Sequence, residues 1–162
     1  PLIDPAIIDR VIGAFIENYP EFDYFSNLHP ATYPDGNDVE IFKFSVLEEA
    51  WKNADKDFER EHTTPYIWEN PEKYRIGNVF CEGNFNFFPN YRWTLDYDED
   101  YQLISTIYNN LYNENQFFGV YDIIEFLNNN PIYKKINEMH NGKYWYSNHL
   151  EDLKHIEEFK NL

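Results

Sequence analysis

Residues 91–104 read Tyr-Arg-Trp-Thr-Leu-Asp-Tyr-Asp-Glu-Asp-Tyr-Gln-Leu-Ile, and this run limits the possible fold more than any other. Trp93 and Leu95 alternate with Arg92 and Thr94, which is a strand pattern. Four carboxylates follow, on Asp96, Asp98, Glu99 and Asp100. Leu103, Ile104, Ile107, Tyr108 and Leu111 then recur at helical spacing. A strand that gives way to a helix within a few residues is the grammar of an α/β fold. In open α/β sheets, ligands sit at the carboxyl ends of strands. Asp96, read as the last strand residue, is there a natural ligand for Mg²⁺, which takes one or two protein carboxylates plus substrate phosphates. The same acids also suit the positive end of a helix. Asp98, Glu99 and Asp100 are read as first-turn residues; for Asp96 the capping and ligand readings stand side by side.

The chain has 162 residues, 20% of them aromatic, which supports one domain with a substantial core and excludes a disordered tail. No apolar run approaches a membrane span. The single cysteine, Cys81, cannot form an internal disulfide and fits a reducing, cytoplasmic setting; its neighbours make it a small core residue. The net charge of −16 argues against nucleic acid and against an anionic membrane. Pro1-Leu2-Ile3-Asp4-Pro5 shows no basic leader region. It starts close to a helix and without methionine, so the expectation is a chain lacking its beginning. No glycine-rich loop with Lys or Arg is visible, so a nucleotide's phosphates would need such a loop upstream, or a metal.

Asp4-Pro5 opens a helix carrying Ile7, Ile8, Val11, Ile12, Phe15, Ile16 and Tyr19, stopped by Pro20. Phe22 to Leu28 reads as a strand, residues 29–38 as a loop with an Asp-Gly turn, and Val39 to Phe44 as a second strand. Ser45-Val46-Leu47-Glu48 matches a capping box. Helical pieces are expected from there to Ala54, over Asp57–His62 and around Pro65–Glu69. Tyr74–Glu82 and Phe85–Leu95 read as strands joined at Gly83, followed by helices to about Tyr112, over Val120–Leu127, over Ile132–Met139, and over Asn148–Phe159. The order is mixed α/β first and helical later.

Three constellations are candidates for chemistry. Arg60-Glu61-His62-Thr63-Thr64-Pro65-Tyr66 gathers a guanidinium, a carboxylate, an imidazole and hydroxyls: Arg60 suits a bidentate anion and His62 a sugar hydroxyl or acid/base work. A solvated helix end with an Arg–Glu pair explains the same residues. Thr32 to Glu40 places Tyr33, Asp35, Asp38 and Glu40 in and beside one polar loop, a binding loop or a plain Asp-Gly turn. His149 and His155 are six apart, a spacing that does not aim two imidazoles at one zinc. With no Gly-x-Ser-x-Gly elbow and no base beside Cys81, acyl transfer is a poor reading.

Taken together, four segments resemble the cytidylyltransferases of the spore coat polysaccharide biosynthesis protein F type, relatives of the CMP-sialic acid and CMP-Kdo synthetases. They are Pro1-Leu2-Ile3-Asp4-Pro5 with Ile7 to Ile12; Ser26-Asn27 with Thr32 to Glu40; Arg60 to Ile67; and Arg92-Trp93-Thr94-Leu95-Asp96, in the expected order. The resemblance covers roughly residues 1–137. It implies a Rossmann-like, mostly parallel sheet flanked by helices, of the nucleotide-diphospho-sugar transferase type. Residues 1–140 would be the C-terminal portion of that domain, and 141–162 a helical tail. The implied reaction is attack of a sugar hydroxyl on the α-phosphorus of CTP with release of pyrophosphate and Mg²⁺ as cofactor. The resemblance further implies a catalytic, metal-binding role for Asp96 and substrate-binding roles for Tyr33, Asp35, Asp38, Glu40, Arg60, Glu61, His62 and Arg92. A second metal aspartate would lie just before Pro1, so activity is not expected of these residues alone. One departure matters: the family's Asp-Thr-Pro-Glu-Asp is Asp96-Tyr97-Asp98-Glu99-Asp100 here, so Asp96 or Asp98 would cap the helix, and a capping Asp96 would have a weaker metal role.

The partners so implied are CTP, a sugar acceptor and a possible second copy as a homodimer. Two other readings remain open at this point: a glycosyltransferase-like enzyme using a nucleotide sugar, separated by pyrophosphate release, and a non-catalytic sugar-binding or assembly module, separated by the upstream sequence.

Overall fold

The computed structural model describes residues 1–113, 115–149 and 151–153. The chain forms two compact units, a division in space rather than along the sequence. The first comprises Pro1–Asp9, Ala31–Asp38 and Cys81–Lys143; the second comprises Arg10–Pro30, Val39–Phe80 and the chain from Tyr144.

The second unit is a small α/β layer structure. Strand β1 (Tyr24–Ser26) lies between β2 (Glu40–Phe42) and β3 (Ile76–Asn78), antiparallel to β2 and parallel to β3. Successive strand side chains point to opposite faces, and two cores result. Tyr24, Phe42 and Ile76 face α2 (Phe44–Asn53), α3 (Asp57–Glu61) and α4 (Pro65–Trp68), among Val46, Phe58, Ile67 and Trp68. Phe25 faces the other way and packs with Val79 on Val11 and Phe15 of α1 (Pro5–Glu17), a helix whose first residues belong to the first unit. Gly77 sits opposite Phe25, and a Cβ there would fall 2.1 Å from the Phe25 ring.

The first unit is mainly helical. Helix α5 (Asp98–Leu111) buries Asp100, Leu103, Ile104 and Ile107, and α6 (Val120–Asn129) buries Val120, Ile123, Ile124 and Leu127, the same helical stripe twice. A short α7 (Pro131–Lys134) follows. Asp4 joins the start of the chain to this layer. One of its carboxylate oxygens accepts the Ala6 N–H at 2.8 Å in α1, and the other accepts the Val120 N–H at 2.8 Å at the head of α6. One side chain thus satisfies two helix N-termini.

The α/β class and the positions of most helices follow the sequence pattern; strand lengths and several boundaries do not. The expected strand over Phe85–Leu95 is absent. Pro89, which has no N–H to donate, lies in a 3₁₀ turn over Phe88–Asn90, and Gly83 and Asn84 adopt positive φ. What survives is a single parallel bridge, in which Asp35 N–H donates to the Tyr91 carbonyl at 2.9 Å and Trp93 N–H to the Asp35 carbonyl at 2.7 Å. In Tyr74–Glu82 only Ile76–Asn78 is strand, because Cys81 turns its N–H to Thr32 Oγ1 at 2.8 Å. Phe44 belongs to α2, capped at Lys43 rather than by a box at Ser45. The helix expected over Ile132–Met139 stops at Lys134, and a 3₁₀ turn over Glu138–His140 follows Asn137, whose buried amide bonds elsewhere. Most of the expected tail helix lies outside the described residues, and Trp145–Asn148 forms a 3₁₀ turn. No described helix is long and apolar enough to cross a membrane.

Candidate functional site

Arg92 is the hub of the first unit. It is 4% exposed and is gripped from several sides. Its Nε and Nη2 donate to the two carboxylate oxygens of Asp100 at 3.3 and 3.2 Å, Nη1 donates to Asp35 at 3.4 Å, and Nη2 also donates to Asp96. Nη1 reaches the Lys143 backbone carbonyl at 3.2 Å as well. A guanidinium presents its donors in a planar fork, so several acceptors together fix its orientation.

Asp100, fully buried, holds the hub in place. Besides Arg92 it accepts the Asn137 amide at 2.8 Å and the N–H groups of Asp96 and Tyr97 at 3.0 and 3.2 Å. Burial pushes its pKa up, but the bonds from Asn137, Arg92 and the Asp96 N–H outweigh that and hold it below the usual carboxylate range. Asp100 is a first-turn residue of α5, as expected, and it also does the reaching back that caps the helix. Tyr97, not Asp96, is the N-cap residue, without a side-chain cap bond. The carboxylate of Asp96 is therefore not tied up as a cap. It stands 64% exposed at the rim, with Arg92 on one oxygen.

Asp35, by contrast, is buried, and that desolvation, with Asp38, Asp96 and Asp100 adding to it against Arg92, raises its pKa to about 7. The turn that delivers it depends on Gly36, whose φ is +100° and whose Cβ would come within 2.8 Å of the Trp93 backbone. Asn37, also buried, accepts the Asp4 N–H at 3.2 Å. Tyr33 is buried with its hydroxyl donating to Glu82 at 3.1 Å, and Asp38 is exposed. The structure thus brings Asp35, Asp96 and Asp100 together around Arg92.

The other residues singled out lie in the second unit. Glu40 is exposed as a residue, yet its carboxyl is walled in. It accepts the Tyr24 hydroxyl and, at 2.7 Å, the Thr64 hydroxyl; desolvation raises its pKa although both bonds lower it. His62 stacks on Trp145 with centroids 4.0 Å apart, and burial lowers its pKa. Arg60 and Glu61 are exposed beside it in sequence.

Sequence reasoning missed the weight of Asp100 and passed over Asn137, His140 and Lys143. Only Asp100 carried a signal, its spacing of four from Asp96 and eight from Arg92. His140 stacks on Tyr97 at 3.9 Å and bonds to Glu99 at 3.0 Å. That bond is the first cause of the lowered Glu99 pKa. Among the described residues, no three His, Cys, Asp or Glu side chains gather as a metal site.

No protein-family model matches the chain. An uncharacterized protein of Methanocaldococcus jannaschii is 34% identical over 143 residues, covering 85% of this chain and 53% of that protein. Spore coat polysaccharide biosynthesis protein SpsF of Bacillus subtilis is 30% identical over 132 residues, covering 81% of this chain and 52% of that one. A cytidylyltransferase from Leptospira borgpetersenii matches in structure with a TM-score of 0.76 at 32% identity, over 83% of this chain and 55% of that one. The chain spans about half the length of the curated relatives it matches. Over the part it spans, in sequence and in fold, the chain belongs to the cytidylyltransferase family of the spore coat polysaccharide biosynthesis protein F type.

Proposed function

We propose that this chain forms part of a nucleotidyltransferase that moves CMP from CTP to a sugar acid or related sugar for cell-surface glycan synthesis. The observation that carries the reading is the state of Asp96: an open rim carboxylate, oriented by a buried arginine, in a chain similar to a cytidylyltransferase.

In this reading a sugar hydroxyl attacks the α-phosphorus of CTP, the bond to the bridging oxygen breaks, and pyrophosphate leaves. Bound Mg²⁺ supplies charge neutralisation at the phosphates. Asp96 is the residue that would hold it. Arg92 keeps that carboxylate pointed, because Asp100 and Asp35 fix the guanidinium and leave it one direction to extend. Positioning and electrostatics are what such a reaction needs from a protein. Tyr33, Asp35, Asp38 and Arg92 of the first unit, and Glu40, Arg60, Glu61 and His62 of the second, are assigned to substrate binding. A homodimer belongs to the same proposal.

The 162 residues contain no glycine-rich basic loop, so alone they are expected not to turn over CTP. The test is a chimera in which they replace the matching part of the Leptospira borgpetersenii enzyme. Mg²⁺-dependent pyrophosphate release from CTP, dependent in turn on a sugar acid, is the expected result. A folded chimera that binds CTP but releases no pyrophosphate with any acceptor overturns the reading.

A further inference from the structure

Several of the described cations are spent on carboxylates, in a chain of net charge −16. Lys43 pairs with Asp23 at 2.8 Å, Lys52 with Glu48 at 2.9 Å, Lys73 with Glu49 at 2.6 Å, and Arg92 with three acids. Lys143, like Lys56 and Lys134, is held by neutral groups, and it alone of the three stands beside Tyr97. The described residues give it no carboxylate. Its Nζ instead donates to Nδ1 of His140 at 3.0 Å and lies 5.2 Å from the centre of the Tyr97 ring.

The hydrogen bonding around His140 defines its form. An ammonium has no lone pair to offer, so His140 Nδ1 must be the acceptor and Nε2 must carry the hydrogen, which it donates to Glu99 at 3.0 Å. His140 is buried and stacked on Tyr97 with ring planes 8° apart, so it cannot swing away. The Lys143 backbone is fixed too: its carbonyl accepts Arg92 Nη1 at 3.2 Å, and its N–H donates to the His140 carbonyl at 3.1 Å. The arrangement holds a lysine by both ends, beside Tyr97 and the arginine that carries Asp96, while neutralising none of its charge. A flexible side chain is costly to order. An ordered, exposed and uncompensated ammonium is preorganised for an anion.

We infer that Lys143, positioned by His140, binds the anionic group of a small ligand at the Asp96 rim, a phosphate or a carboxylate. Lys143 touches the ligand; His140 acts through Lys143 and is a positioning residue. The ligand's identity as CTP, pyrophosphate or sugar acid rests on the proposed function. Binding of an anion at Lys143 does not.

The experiment titrates the 162-residue chain by calorimetry, at low salt, with inorganic pyrophosphate, CMP and glucuronate as separate probes. Pyrophosphate or CMP binding assigns a phosphate, and glucuronate binding a carboxylate. For the probe that binds, K143M is expected to lose about tenfold or more in affinity, from loss of one charge-assisted bond, while K143R keeps most of it. H140F keeps a ring to stack on Tyr97 but removes Nδ1, and should weaken the same probe severalfold with unchanged circular dichroism. Equal affinity of K143M and the parent overturns the inference, as does failure of all three probes to bind the folded parent. If instead pyrophosphate release fails in the chimera while K143M still separates from the parent here, the proposed reaction falls and the anion site stands.

Discussion

At the scale of single residues, the site is a set of buried polar groups whose mutual bonding leaves one carboxylate outside. Asp100 is the residue on which this depends most. Removing it takes two bonds from the buried Arg92 guanidinium and frees the N–H groups of Asp96 and Tyr97. Breaking a buried pair from one side costs about 3–5 kcal/mol, so Asp100→Ala is expected to lower the urea midpoint steeply. Asp96→Asn, at an exposed rim, should leave that midpoint nearly unchanged; a comparable loss in both would contradict the division of labour drawn here. Asp35 adds a pH dependence. Its folded pKa of about 7 lies above its ordinary value of 3.8, so between those values the folded state holds the extra proton. Its contribution to stability is therefore full at low pH and is lost as pH rises through 7. Asp35→Asn, which cannot ionise, should gain stability relative to the parent between pH 4 and pH 8 in paired denaturation curves. Parallel curves would rule this out. Arg92 and Asp96 could be picked from the sequence because they stand in a strand-like, motif-like run. Asn137 and His140 could not, since an isolated Asn or His far along the chain gives no periodic or spacing signal.

At the scale of elements, the helices were legible, and each observed strand lies inside an expected one, but the strand bounds were not legible. Helices α1, α5 and α6 announce themselves by apolar residues at helical spacing and by their starts, Asp4-Pro5 for α1 and the acidic cluster for α5. Strands of three residues carry too little alternation to be bounded, and aromatic-rich coil such as Phe85–Leu95 imitates them. There the backbone chemistry of Pro89 and Gly83 overrides the β-favouring side chains. Asp4 shows how an element boundary can also be a tertiary contact. Asp4→Ala removes caps from α1 and α6 at once and is expected to cost about 1–2 kcal/mol or more, since each lost cap costs about 1 kcal/mol. Asp4→Asn keeps one acceptor oxygen and should recover part of that in thermal melts. Full recovery would mean that only one of the two caps matters. Gly36 is the corresponding point in the loop: Gly36→Ala meets both an unfavourable φ and the Trp93 backbone, and is expected to cost about 1–3 kcal/mol.

At the scale of the whole molecule, the chain supplies an α/β unit and a helical unit, with the residues singled out for function divided between them. Tyr33, Asp35, Asp38, Arg92 and Asp96 belong to one, and Glu40, Arg60, Glu61 and His62 to the other. The matched structure is a cytidylyltransferase of which this chain covers 55%. The strong negative charge gives the molecule no general affinity for phosphates, so anion recognition must rest on a few placed cations, of which Arg92 is buried among acids and Lys143 is open. The account stands or falls on Asp96 as the carboxylate that this chain brings to the reaction. The direct test is Mg²⁺-dependent pyrophosphate release from CTP by the chimera with the Leptospira borgpetersenii enzyme, parent against Asp96→Asn. The account predicts a loss of about a hundredfold or more in kcat/KM, the range of one missing electrostatic contact to the reacting group, with CTP binding in the absence of metal unchanged. Near-normal turnover by the folded Asp96→Asn chimera would contradict it.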